Sequence, residues 1–114
     1  MDNNEFKYSL IEKINVASNL KDTENRIQLL TSQGILTGDP VLPEKITDNE
    51  IVEMICNRTL MELGEEERRD LSFLLLRDAK LIMGNGSTVN FHRLVVFLDE
   101  IIGVTYGVAD IEIR

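Results

Sequence analysis

The 114-residue chain holds one cysteine, one histidine, two prolines and no tryptophan, and most of these scarcities close a class of chemistry. With Cys56 alone, neither an internal disulfide nor a four-thiolate zinc site can form. A closed zinc site built on Cys56 and His92 needs two further carboxylates, and no spacing singles them out. Aromatic side chains are few, two tyrosines and four phenylalanines, and most fall at core spacing rather than on a base-stacking surface. No apolar run approaches the length of a membrane-spanning helix, and the opening MDNNEFKYSL lacks the basic flank and apolar centre of a secretory signal. These absences predict a cytoplasmic protein in a reducing setting. The glycosylation-like triplets Asn57-Arg58-Thr59 and Asn85-Gly86-Ser87 carry no weight there.

Acid is abundant. Aspartate and glutamate outnumber lysine and arginine by 20 to 12, for a formal charge of -8. The excess is uneven: residues 1–47 carry seven acids against five bases, and 48–114 thirteen against seven. Such a field repels nucleic acid and anionic membranes and attracts basic proteins. Apolar residues make up 43% and charged ones 28%, ordinary values for a globular chain. Without an internal repeat, heptad series or low-complexity stretch, residues 1–114 are expected to form a single helical domain with its own core.

Helical spacing dominates the apolar pattern. Phe6, Leu10, Ile14, Ala17 and Leu20 recur at that spacing from Asn4 to Leu20. Asp22 or Thr23 can cap a second, shorter helix through Ile27, Leu29 and Leu30 to Gly34, its rival being one long helix from 4 to 33. The segment 37–47, TGDPVLPEKIT, contains both prolines and reads as the main connection. Thr47 or Asp48 can cap a third helix bearing Ile51, Val52, Met54, Ile55, Leu60 and Leu63, closed by Gly64.

Residues 66–83 are apolar around nearly the whole helical wheel, which predicts a buried central helix, with Glu65, Glu66 and Glu67 suiting the positive end of its dipole. Gly84, Asn85 and Gly86 end it. A last helix is expected over 88–103, from Phe91, Leu94, Val95, Leu98, Ile101 and Ile102. The rival there is a hairpin turning at Asn85-Gly86 between KLIM and STVNF. The tail VTYGVADIEIR is β-branched and reads as extended. The predicted fold class is all-α: a compact bundle of about five helices around a central apolar helix, 66–83, with a short extended C-terminal tail.

Asp78 sits among Leu74, Leu75, Leu81 and Ile82, so on a helix its carboxylate projects from an apolar face and requires a partner. Arg58, between Met54, Ile55 and Met61, has the matching anomaly, which predicts a structural ion pair between Arg58 and Asp78. His92 falls near Asp99, but no nucleophile accompanies them. Cys56 reads as a core thiol, and Ser72 and Ser87 lack a GxSxG setting. Gly84 to Leu98 resembles the glycine turn and exiting helix of a calcium-binding loop but lacks the ligands. GNGS likewise lacks the lysine of a phosphate loop. The expectation is a protein without catalytic, cofactor or metal residues, and not an enzyme.

Phe73 shares its wheel sector with Arg69, Arg77 and Lys80, and an exposed aromatic ringed by arginine suits an interface anchor, the rival being packing beneath the first helix. With Asp48, Glu50, Glu53, Glu65, Glu66 and Glu67 it makes the candidate surface for a basic protein partner. The function expected is a non-enzymatic protein-binding module with an acidic surface, such as an immunity protein, antitoxin or phage-encoded inhibitor. The alternative is a structural or assembly subunit of a phage or multiprotein complex, whose C-terminal tail pairs as a strand with a neighbour.

Overall fold

A computed structural model describes residues 3–21, 26–41, 45–63 and 73–107. Their elements in chain order are α1 (Asn3–Lys21), β1 (Arg26–Thr31), β2 (Gly34–Val41), α2 (Ile51–Glu62), β3 (Phe73–Met83), β4 (Thr88–Phe97), a 3-10 turn (Leu98–Glu100) and β5 (Ile101–Gly107). The strands form one antiparallel sheet in the order β4-β3-β2-β1-β5. The all-α bundle expected from the sequence is therefore incorrect. The helices over 4–20 and 51–63 are present as α1 and α2, but the expected second helix, and its rival running from 4 to 33, give way to a β1-β2 hairpin. From Phe73 onward the central helix is β3, and most of the last helix is β4.

The physical reason lies in how β3 is covered. Leu74, Leu76 and Ala79 pack with Ile11 of α1, while Leu75 and Phe73 pack with Leu60 of α2 on the opposite face. A strand buried on both faces loses the alternation of a half-buried one and reads as a continuous apolar run. A bulge completes the disguise. Thr37 of β2 lies opposite Lys80, yet Asp39 lies opposite Arg77, so one β2 residue faces two of β3. Asp78 takes φ 51 at this step, returning Ala79 to the face of Leu74 and Leu76. The resulting spacing mimics a helical period. Interior residues Phe91, Leu94, Leu98 and Ile101 copy helical spacing in the same way: Phe91 and Leu94 follow Ala79 and Leu76 across the bulge, and the 3-10 turn separates Leu98 from Ile101.

Glycine sets the β3-β4 turn. The Gly86 amide donates to Met83 O at 3.0 Å and the Met83 amide to Ser87 O at 2.8 Å, with Gly86 at φ 89. The hairpin considered for Asn85-Gly86 forms, but with a three-residue loop of this kind rather than a two-residue one.

The sheet cannot be flat. β4 and β5 run in the same direction at opposite edges, yet only Leu98–Glu100 joins them. Such a link reaches about 14 Å, whereas four strand spacings alone span about 19 Å. The sheet must curl into an open barrel. Its interior holds Ile27, Leu29, Leu36, Leu76 and Leu98, and α1 closes the concave side, with Lys7 Nζ donating to Leu98 O at 3.1 Å. On the other face, α2 covers Val41 and Leu75. The tail read as extended pairs within the chain, with β1, as far as Gly107; residues 108–114 lie outside the described residues. No helix among the described residues is long and apolar enough to cross a membrane.

Candidate functional site

Two features of the surface and its margin could bear function: an ionic cluster under α2 and the open edge of β5. The cluster begins with sheet register, which sets Arg77 of β3 directly opposite Arg93 of β4. Glu53, in the first turn of α2, reaches between them. Its Oε1 accepts from Arg77 Nη2 at 2.6 Å, and its Oε2 accepts from Arg77 Nε at 3.2 Å and Arg93 Nε at 2.5 Å. The Thr47 amide adds a fourth bond at 3.4 Å.

The Arg77 hydrogen bonds above all, followed by Arg93, hold the Glu53 carboxyl down at about 2 against the opposing effect of burial. Both arginines are satisfied by this one acid and by neighbours: Arg77 Nη2 also donates to Lys45 O, and Arg93 Nη1 to His92 O. Glu50 Oε2, 3.9 Å from Arg93 Nε, balances the second positive charge, so the cluster has none to spare for a ligand and its chemistry is to clamp α2 to the sheet.

The structure separates the expected partner surface. Glu53 is buried, 1% exposed, and takes no part in an accessible acidic face. Glu50 caps α2, its carboxylate accepting from the Glu53 amide at 3.0 Å. Asp48 is exposed and accepts from Asn57 Nδ2 at 3.2 Å. Phe73 is half-buried in the α2 cluster, so it packs inward rather than standing out as an anchor. Glu65, Glu66 and Glu67 lie outside the described residues.

The expected Arg58–Asp78 pair loses its premise. The Asp78 side chain is 71% exposed, with its carboxylate 3.9 Å from His92 Nδ1, and Arg58 is exposed on α2. The acid that is buried is Glu53, which periodicity had placed on the surface. The signal that could have found the clamp is the two arginines flanking a possible hairpin, nine and seven residues from Gly86. Cys56 is half-buried beside Val41 and Leu75. Burial first, and then the charges of Glu50 and Glu53, push its thiol up, away from nucleophilic use. Among the described residues no three acidic, cysteine or histidine side chains are grouped to hold a metal.

The second feature is β5. Among the described residues it is an edge strand, paired with β1 alone, and its sequence IIGVTYG contains no charge and no proline. Edges of this kind offer unpaired main-chain groups, which proteins ordinarily protect with lysine, proline or bulges. Here a register break near Leu30 interrupts the start of the strand, and the pairing from Gly103 onward is regular. The other edge, β4, is interrupted by His92 and Arg93.

Apolar hollows flank β5 on both faces. On the α1 side, Phe6 and Leu10 overhang Ile101 to Val104, leaving a hollow of about 460 Å³. On the opposite face, Leu30 and Ile35 line one of about 400 Å³ beside Gly103 to Tyr106. Ile102 and Tyr106 are 68% and 48% exposed. Comparison of the chain with protein-family models, curated proteins and solved structures finds no match.

Proposed function

We propose that this chain is a non-enzymatic protein-binding module that holds its partner by strand addition along β5. The observation that carries this reading is an uncharged edge strand with an apolar hollow on each face. An added strand sends alternate side chains to opposite faces. Its main chain supplies affinity, and the side chains entering the hollows supply selectivity. The acidic field, with Asp99 and Glu100 at the head of the strand, favours a basic partner. An inhibitor, immunity protein or antitoxin is the biological form that suits such a module, in the reducing cytoplasm where Cys56 stays a thiol.

Selection from a library of short random peptides tests this reading. Wild-type protein should enrich sequences that alternate apolar residues, and the Ile102→Lys and Tyr106→Lys variants should not. Both positions are exposed, so folding should survive, as far-ultraviolet circular dichroism can verify. Equal enrichment by wild type and variants would remove β5 from the function. An assembly subunit is the second reading, favoured by Ile51, Ile55 and Met61, which stand exposed along α2 as a second apolar surface apart from β5.

A further inference from the structure

The ends of β5 differ in charge, and strand pairing gives that difference a direction. Resting on the strand-receptor reading above, we infer that the preferred occupant of this edge is an extended segment of a foreign basic protein. The segment is apolar at alternate positions, carries lysine or arginine immediately after them, and lies antiparallel to β5.

Every pairing in the sheet is antiparallel. A strand continuing that pattern places its C-terminal end beside Ile101. Asp99 and Glu100 immediately precede Ile101, and both are exposed. Glu5, also exposed, lies next to Phe6, which lines the α1-side hollow. Lys7, which lines the same hollow and donates to Leu98 O at 3.1 Å, offsets one of these three acids and leaves the head of the strand net negative.

At the other end Arg26 lies opposite Gly107, but its charge is committed elsewhere. Its Nε is 3.4 Å from Asp39 Oδ1, and its Nη2 donates to Asp78 O at 2.7 Å. The head of β5 therefore attracts cations, and among the described residues its far end offers no equivalent pull for an acid. The net charge of -8 further opposes a second copy of this chain and favours a basic stranger.

The test uses three labelled peptides with a Thr-Val-Thr-Val-Thr-Val body: one ending in two lysines, one beginning with them, and one without lysine. Fluorescence anisotropy against the full chain should rank the C-terminal-lysine peptide tightest, about fivefold better than its reversed counterpart. That margin should vanish at about 0.5 M salt and in the double variant Asp99→Asn/Glu100→Gln, whose substitutions are exposed. Equal binding of all three peptides overturns the charge polarity while leaving strand addition standing. Absence of binding by every peptide, unaltered by Ile102→Lys, overturns the receptor reading itself. Concentration-dependent self-association in sedimentation that Ile102→Lys abolishes assigns the edge to a second copy and overturns the foreign occupant.

Discussion

Arg77 and Arg93 stand directly opposite one another on β3 and β4, and the buried Glu53 carboxylate of α2 bonds to both. Two like charges in register repel, so the acid from the helix turns a liability of the sheet into the tie that docks α2. The consequences are energetic rather than catalytic.

Removing the acid should cost far more than a surface ion pair is worth. Glu53→Ala leaves two partly buried guanidinium groups facing each other, and a loss of about 3 kcal/mol is expected in urea unfolding. The triple variant Glu53→Leu/Arg77→Met/Arg93→Met should recover most of that loss, because an apolar replacement avoids desolvating three charges. A Glu53→Ala protein as stable as the wild type would show that the clamp contributes nothing.

The same carboxyl makes stability depend on acidity. Its folded value of about 2 lies below the ordinary 4.5, so the unfolded chain takes up this proton first as the pH falls. The clamp's contribution is complete above about pH 5 and is lost progressively as the pH falls to about 2, amounting to about 3 kcal/mol. Urea midpoints across that window should fall more steeply for the wild type than for Glu53→Gln. Parallel curves would contradict the assignment.

Asp78 occupies a left-handed backbone position, φ 51, which aspartate tolerates better than most residues and valine hardly at all. Asp78→Val should destabilise by about 1–2 kcal/mol, although the side chain is exposed. Asp78→Gly should stay within about 0.5 kcal/mol of the wild type, relief of strain offsetting the added freedom of the unfolded chain. Thermal denaturation of the pair separates a backbone effect from loss of the carboxylate, under which both variants would suffer alike.

Gly34 is fixed by backbone on two counts. Its φ is 144, and a Cβ there would lie 2.2 Å from Ile82 O, a main-chain atom that cannot move without disturbing the β2-β3 pairing. Gly34→Ala should cost about 3 kcal/mol in chemical denaturation. Gly84→Ala, where a Cβ meets nothing within 4 Å, should cost little.

Local pattern was enough to locate both helices and several of the turns. Helical spacing over 4–20 and over 51–63 each belongs to one segment, although the face α1 turns to the core is Tyr8, Ile11 and Ile14 while Phe6 and Leu10 of the expected stripe stand exposed. Gly34 and Gly86 mark real reversals, although the reversals join strands and not helices. Glu53 was visible as an acid, but nothing local distinguishes an acid at a surface from one facing two arginines brought together from β3 and β4.

The amino-acid order by itself determined the supply of apolar side chains, the excess of acid and the points where the chain turns, because these depend on composition or on a few adjacent residues. Tertiary structure decided the rest. FLLLRDAKLIM becomes a strand because β2 and β4 satisfy its backbone while α1 and α2 cover its two faces, and a bulge at Asp78 restores its inward register. Sheet pairing draws its partners from distant parts of the chain. Spacing within one segment is the same for a buried helix and for a bulged strand covered on both sides.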